Sequence, residues 1–192
     1  MTGSLTDVPR GHVAAVVTYL EMKQRPEPAP APESPLRLER WLEVDADRYR
    51  ALFRRVGQTW LWFSRLAMDD STLLANVAEV HAVVDSDGTE VGLLELDFRG
   101  RRECLIRFLG LIPELAGRGH GRWLFAQTLS LAWQGGVEQV RVHTCTLDHP
   151  AALPSYLRAG FRVYARALET FPDPRLSGLL PRDTAPQIPL LC

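Results

Sequence analysis

The sequence is short of cysteine, and the pattern of its few cysteines and histidines excludes the common metal and disulfide sites. Of 192 residues, only Cys104, Cys145 and Cys192 are cysteines, and no two of them form a C-x-x-C pair. Their odd number and wide spacing indicate neither a disulfide framework nor a zinc site. The five histidines show no H-E-x-x-H spacing, so we expect no zincin-like metal centre and no bound metal.

An excess of charge of one sign and long apolar runs are lacking as well. Lysine and arginine number 22 against 23 acidic residues, which leaves a formal net charge of -1. Without a basic excess, we expect neither nucleic acid nor an anionic membrane as a partner. No stretch approaches the roughly 18 apolar residues of a membrane span, and the N-terminus lacks the pattern of a signal peptide. We therefore expect a cytoplasmic protein.

What is present is the composition of an ordinary globular domain, with 46% hydrophobic and 23% charged residues. Proline recurs between residues 25 and 35 and again after residue 171, which disfavours helices and paired strands there. We expect an N-terminal strand and proline-rich connection over residues 1–35, a globular domain over 36–170 and a proline-rich tail over 171–192. The tail covers either part of the sheet or a neighbouring subunit.

Hydrophobic periodicity predicts alternating strands and helices within this frame. Strands are expected at 13–22, 36–41, 80–85, 90–98, 103–112, 137–144 and 161–168. Helices are expected from the cap Asp45 to Val56, from Asp69 onward, over 121–133 and over 150–159. Turn signals at 86–88 and 99–100 indicate antiparallel hairpins, and a strand–helix–strand unit follows them. This order predicts an α/β (α+β) fold, with one mixed sheet and helices on its faces.

The sharpest motif is a glycine-rich segment between a strand and a helix. Three alternate glycines, Gly117, Gly119 and Gly121, lead into the helix, with Arg118 between the first two and Arg122 directly after the third. The first amides of a helix have no partner within it, and the helix dipole adds roughly half a positive charge there. Because glycine carries no side chain to hold an anion away from these amides, the segment predicts a phosphate or pyrophosphate site.

Two other phosphate-binding loops do not fit this segment. A Walker A loop requires Gly-Lys-Ser/Thr, which is absent. The dinucleotide fingerprint G-x-G-x-x-G fails because Arg122 and Leu124 stand where its third glycine belongs. A tight strand-to-helix turn that binds no ligand stays open as an alternative at this point.

A second segment, residues 148–161, favours the anion site. The two segments together resemble motifs A and B of the GNAT acetyltransferase superfamily, in its order and at its separation. The matching positions are Gly119 and Gly121 in motif A and Tyr156, Gly160 and Phe161 in motif B. The resemblance covers roughly residues 36–170 and is strong from Val91 onward. It departs from the family at Ala116, where motif A has Arg or Gln, and at Asp148 and His149, where motif B has Asn.

The resemblance implies a GNAT-like, mostly antiparallel central sheet flanked by helices, with a splayed cleft that binds acetyl-CoA as the acyl donor. It implies direct transfer to an amine, without a covalent enzyme intermediate. The donor-binding residues that it implies are Leu109, Leu111 and Ile112 on an open strand edge and Gly117, Arg118, Gly119, His120, Gly121 and Arg122 in the loop.

The same resemblance implies that Tyr156 is the general acid that protonates the departing sulfur. A general base is expected from the strand at 90–98, where alternation places Glu95 and Asp97 on one face. Glu95 is the better candidate of the two, although carboxylates on such a face are also found simply solvated. His143 lies near the expected cleft and is a third candidate, or else a hydrogen-bonded structural residue.

We therefore expect an acetyl-CoA-dependent N-acetyltransferase that acts on a primary amine of a small molecule or peptide. A catalytically silent acyl-CoA-binding or sensor module stays open, as does a protein that acts through interactions alone. The aromatic residues Trp60, Trp62 and Phe63 line an acceptor pocket or pack the first helices on the sheet. A homodimer is compatible with the resemblance, which does not identify the acceptor.

Overall fold

The computed structural model describes residues 3–27 and 32–191 and has one mixed sheet with helices on both faces. Its strands are β1 (His12–Met22), β2 (Arg37–Arg40), β3 (Glu79–Val84), β4 (Glu90–Asp97), β5 (Glu103–Leu111), β6 (Gln139–Cys145) and β7 (Arg162–Pro172). Its α-helices are α1 (Ala46–Gly57), α2 (Asp70–Asn76), α3 (His120–Ala132) and α4 (Ala152–Arg158). Short 3-10 turns follow α1 at Gln58–Trp60 and precede α3 at Pro113–Leu115.

The strands of the described residues are arranged in the order β2-β3-β4-β5-β6-β1-β7. β5 and β6 are parallel, and the other neighbouring pairs are antiparallel. The parallel pair follows from the crossover through α3, which returns the chain to the same end of the sheet. The predicted mixed, mostly antiparallel sheet with helices on its faces is confirmed.

Two helices begin at the predicted caps. The side chain of Asp45 accepts a hydrogen bond from the Arg48 amide at 2.8 Å, and Asp69 accepts one from the Thr72 amide at 2.7 Å. Each bond satisfies an amide that has no partner within its helix. No helix in residues 3–27 and 32–191 is long and apolar enough to cross a membrane.

The first strand lies inside the sheet, although a proline-rich segment separates it from the rest of the chain. β1 pairs with β6 along one edge and with β7 along the other. Its residues Leu20 and Met22 are buried. Residues before the predicted boundary at position 35 therefore belong to the same sheet as the residues after it. Part of the proline-rich connection, residues 28–31, lies outside the described residues.

The two faces of the sheet are covered by different helices. On one face, here the α3 face, α3 and α4 pack on a buried cluster that includes Leu20, Leu94, Leu96, Ile106, Val142, Tyr156 and Phe161. On the other, the α1 face, α1 places Tyr49, Phe53 and Val56 against Val80, Ala82 and Leu93. Burial of each large apolar side chain contributes about 1.5–3 kcal/mol, so the two clusters hold the sheet between its helices.

The C-terminal tail packs on the α1 face of its own chain. β7 extends to Pro172, past the predicted end at Leu168, and the tail then turns around the buried side chain of Arg175. Arg175 forms an ion pair with Asp173 at 2.7 Å and donates to the carbonyl oxygens of Thr184, Ala185, Ile188 and Pro189. This network satisfies a buried guanidinium, and it holds the apolar side chain of Leu180 in the core.

Candidate active site

The parallel strands β5 and β6 separate part-way along their length. Their pairing ends where Ile106 lies opposite Val142. β5 continues to Leu111 and β6 to Cys145, so an opening, here called the gap, lies between them. A bulge at Arg107, which has no partner on β4, falls at the start of the gap, where bulges bend a strand. The predicted splayed cleft is confirmed.

Backbone groups of β5 line one side of the gap. Ile112, directly after β5, donates its amide to the carbonyl oxygen of Val91 at 2.9 Å. Because hydrogen bonds alternate in direction along an antiparallel strand, the amides of Leu109 and Leu111 face the gap. The expectation that Ile112 also faces it is corrected, since its amide is already paired with β4.

The glycine-rich loop at the mouth of the gap is open. Gly117 and Gly119 have φ angles of 75° and 85°, which glycine adopts without strain. A Cβ atom at Gly117, Gly119 or Gly121 would meet no atom within 4 Å. Among the described residues, no group accepts a hydrogen bond from the amides of Gly119, His120 and Gly121. Such amides at the start of a 13-residue helix are suited to bind an anion.

Side chains fix this loop in place and add positive charge to it. The His120 Nδ1 atom lies 3.0 Å from the Ser34 hydroxyl oxygen, which ties the loop to the end of the proline-rich connection. Trp123 and Leu124 anchor the first turn of α3 in the core. Arg118 and Arg122 are exposed. They can therefore reach an anion held by the loop amides.

Tyr156 lies on the α3 face, in the same buried cluster as Ile106 and Val142, where the pairing of β5 and β6 ends. Its ring centroid lies 5.6 Å from that of Phe125 and 5.7 Å from that of Phe161. Burial raises the pKa of Tyr156, and the Asp148 carboxylate raises it further. The hydroxyl therefore keeps its proton at neutral pH, as a general acid must.

Glu95, the expected base, lies in the interior, where its carboxylate binds two other side chains. Its side chain is 0% exposed. One carboxylate oxygen accepts a hydrogen bond from the Tyr49 hydroxyl at 2.5 Å, and the other accepts one from the Arg65 guanidinium at 2.6 Å. Because α1 and the segment after it cover this face, a substrate amine has no direct access to the Glu95 carboxylate. The contacts give Glu95 a structural role, and its expected role as the base stays a prediction.

Asp97 shares that face but is held by two arginines. It accepts hydrogen bonds from the Nε atoms of Arg99 and Arg107 at 2.9 and 2.7 Å. The hydrogen bonds from Arg99 hold the pKa of Asp97 well below its usual range. A carboxylate stabilised in this way is a weak base, so Asp97 is no better suited to the reaction than Glu95.

The aromatic segment after α1 contacts the turn between β6 and α4. The Trp62 indole donates to Asp148 at 3.2 Å, and the rings of Trp60 and His149 have their centroids 5.1 Å apart. Asp148 also accepts a hydrogen bond from the Thr144 hydroxyl at 2.7 Å. The sequence identified Asp148 and His149 only as departures from motif B. No pattern along the chain predicted that they join this segment to the end of β6.

Two further residues of β6 lie at the gap. His143 follows the last residue paired with β5, is exposed, and has its ring centroid 5.9 Å from that of Tyr19. Cys145 shares its face, because side chains alternate along a strand. Burial raises the pKa of Cys145 to about 11. The thiol therefore stays protonated at neutral pH and is not a ready nucleophile.

Solved structures of N-acetyltransferases share this architecture. A GCN5-related N-acetyltransferase from Sphaerobacter thermophilus has a TM-score of 0.55 and 20% identity, over 84% of this chain and 53% of that one. A tandem GNAT protein from the clavulanic acid biosynthesis pathway has a TM-score of 0.54 and 17% identity, over 86% and 54%. Ard1 from Thermoplasma volcanium has a TM-score of 0.52 and 20% identity, over 69% and 86%. The chain thus has the GNAT fold.

The sequence itself gives the family. The profile of the Acetyltransferase (GNAT) family matches residues 19–161, and the chain belongs to this family. No curated protein matches it. The chain spans about half the length of the Sphaerobacter protein and of the tandem protein. The family is one of acetyltransferases.

Proposed function

We propose that the protein is an acetyl-CoA-dependent N-acetyltransferase that moves the acetyl group directly to a primary amine of a small molecule or peptide. One observation carries the proposal: unpaired amides at the start of α3 lie at the mouth of a gap beside which Tyr156 is buried and protonated. An anion site and a proton donor next to the same opening are what transfer from a CoA thioester needs.

The donor is held by the glycine loop and by the open edge of β5. The amides of Gly119, His120 and Gly121 bind the pyrophosphate, with Arg118 and Arg122 beside it. The pantetheine arm, which carries amide groups of its own, pairs with the backbone of Leu109 and Leu111, as a peptide adds to a sheet edge. A backbone amide in the gap stabilises the oxyanion.

Tyr156 donates its proton to the sulfur as the carbon–sulfur bond breaks. The raised pKa keeps this proton available until the thiolate forms. The protonated thiol of Cys145 fits direct transfer from donor to acceptor, because it gives the enzyme no reactive thiolate for a covalent intermediate.

Binding and turnover are tested separately. We expect calorimetry to show that the protein binds CoA. In a separate assay, we expect free thiol to be released when the protein is given acetyl-CoA and a panel of primary amines. Tyr156→Phe should lower kcat by about 10²–10⁴-fold while CoA still binds, because only the proton donor is removed. Tyr164→Phe, at an exposed tyrosine on β7, is the matched control and should leave kcat unchanged. Failure of the wild-type protein to bind CoA would refute the proposal.

The burial of Glu95 favours one alternative, a silent acyl-CoA-binding module. Such a protein binds the donor without transferring its acyl group, and it needs no accessible base at position 95. Tight CoA binding without thiol release against any amine of the panel would establish this alternative.

A further inference from the structure

The residue of β6 that lies at the start of the gap is a histidine. The last residue of β6 paired with β5 is Val142, and His143 follows it. Val142 and Thr144 are buried, and Val142 packs in the cluster of the α3 face. Because side chains alternate along a strand, His143 points to the α1 face. Its ring lies beside Tyr19, which is opposite it on β1.

This face is open to an acceptor at β6. α1 packs mainly on β4 and β5. His143 is exposed, and the Arg107 side chain is 31% exposed. A substrate therefore reaches the start of the gap from the α1 face, between the bulge of β5 and the imidazole of His143.

The general acid and this imidazole lie on opposite faces of the sheet. Tyr156 belongs to the cluster of the α3 face together with Val140 and Val142, whereas His143 points the other way. An acyl carbon in the gap would have the amine on one side and the sulfur on the other. The attacking amine must lose a proton on its side, and the departing sulfur must gain one on the other side. The reaction therefore needs a proton acceptor on one face of the sheet and a proton donor on the opposite face.

We propose that His143 is the catalytic base, and that it accepts the proton of the acceptor amine on the α1 face of the gap. This inference rests on the proposed N-acetyltransferase function. The amine nitrogen forms a bond to the acyl carbon, and its proton passes to the neutral imidazole. The carbon–sulfur bond breaks, its electron pair stays on sulfur, and Tyr156 protonates the sulfur. Exchange with water then returns a proton to Tyr156 and removes one from His143.

The charges around His143 support a neutral imidazole. Partial desolvation lowers the pKa of His143 from its ordinary value of 6.5; Asp148, after β6, and Glu169, on β7, oppose this shift, and Arg107, on β5, reinforces it. From β1, the neighbouring ring is that of Tyr19. The other carboxylates considered for this role are already bound, Glu95 by Arg65 and Asp97 by Arg99.

The test uses the amine that the wild-type protein acetylates best in the panel described above. In His143→Gln we expect kcat/KM near neutral pH to fall by about 100-fold or more. In the wild-type protein, kcat/KM should rise with pH as the base loses its proton, with a midpoint below 6.5. This rise should be absent in His143→Gln. His143→Ala should regain activity when imidazole is added. His12→Gln, at a histidine at the start of β1, is the control and should keep the wild-type profile.

The outcomes separate the two proposals. If the wild-type protein neither binds CoA nor acetylates any amine, the proposed function is wrong. If the wild-type protein turns over and His143→Gln keeps both its rate and its pH profile, His143 is not the base. CoA affinity measured by calorimetry should be equal in the wild-type protein, His143→Gln and His143→Ala, because in this proposal the imidazole acts on the acceptor amine and not on the donor. Unequal affinity together with an unchanged pH profile would assign His143 to donor binding and overturn the inference.

Discussion

The carboxylate of Glu95 lies 2.6 Å from the guanidinium of Arg65, and neither side chain is more than 3% exposed. The pair connects β4 to the segment between α1 and α2, and Tyr49 joins it from α1. Burial and the Glu95 charge raise the pKa of Tyr49, so its hydroxyl remains a donor to the carboxylate. The carboxylate expected to perform catalysis thus holds the first helices on the sheet.

Replacing the Glu95 carboxylate should lower the stability of the fold and leave the pH dependence of the reaction unchanged. Glu95→Gln leaves the Arg65 guanidinium buried without its counter-charge, and breaking such a pair costs about 3–5 kcal/mol. We expect chemical denaturation to show this loss, while the pH profile of kcat/KM in the folded variant stays that of the wild-type protein. Glu39→Gln, which breaks an exposed pair with Arg37, is the control and should cost about 1 kcal/mol or less. A stable Glu95→Gln variant whose kcat/KM no longer rises with pH would show that Glu95 is the catalytic base.

Asp97 should make stability depend on pH in the acid range. Its folded pKa is lowered, so its contribution is present above the unfolded value of about 3.9 and is lost as pH falls through the folded value. Asp97→Asn should cost about 2 kcal/mol at neutral pH, because it removes charge-assisted hydrogen bonds to Arg99 and Arg107. Denaturation curves below pH 4 should converge for the wild-type protein and the variant.

The control for this experiment is Asp87→Asn, in the exposed turn between β3 and β4. It should leave the pH dependence of stability unchanged. If the stability of Asp97→Asn and that of the wild-type protein differ by the same amount down to the lowest measurable pH, Asp97 is not the source of the pH dependence.

Replacing Gly121 should change the stability of the fold and the binding of CoA in opposite directions. It lies in the first turn of α3, where a Cβ atom would meet no atom within 4 Å, so Gly121→Ala should stabilise the fold by about 0.5–1 kcal/mol. Its methyl group would nevertheless stand in front of the loop amides and should weaken CoA binding. Thermal unfolding and calorimetry measure the two effects. A variant that binds CoA as tightly as the wild-type protein would argue against a pyrophosphate on this loop.

Gly119→Ala is the matched comparison at the neighbouring glycine. Its φ of 85° is strained for any residue with a Cβ atom, so we expect a loss of about 1–2 kcal/mol in stability. The two variants should therefore move the unfolding temperature in opposite directions while both reduce CoA affinity.

Arg175 should control whether the tail stays on the α1 face. Arg175→Ala leaves Asp173 buried without its ion pair and leaves several tail carbonyl oxygens without their donor. We expect a loss of about 3 kcal/mol and rapid proteolytic cleavage within residues 173–191. Limited proteolysis followed by mass spectrometry locates the cut. Arg10→Ala, at an exposed position, should show wild-type protection, and equal protection of both variants would contradict this role of Arg175.

Local patterns along the chain predicted most elements of the fold. The caps at Asp45 and Asp69 form as expected, and the helix after the glycine loop begins at His120, one residue before its predicted start. These features depend on neighbouring residues, because a cap or a helical periodicity extends over a few positions. The sheet order was not predicted in this way: β1 lies between β6 and β7, more than 100 residues away along the chain.

The amino-acid sequence by itself determined the family, the glycine loop and the position of Tyr156, since each rests on residue types at short, fixed spacing. Tertiary structure alone decided which polar groups are free to react. Alternation placed Glu95 and Asp97 on one face, but only packing showed that Arg65 and Arg107, from other segments, bind these carboxylates. Only the end of β5–β6 pairing brings His143 to the gap. Accessibility and ion pairing depend on residues distant in the chain, and no local pattern records them.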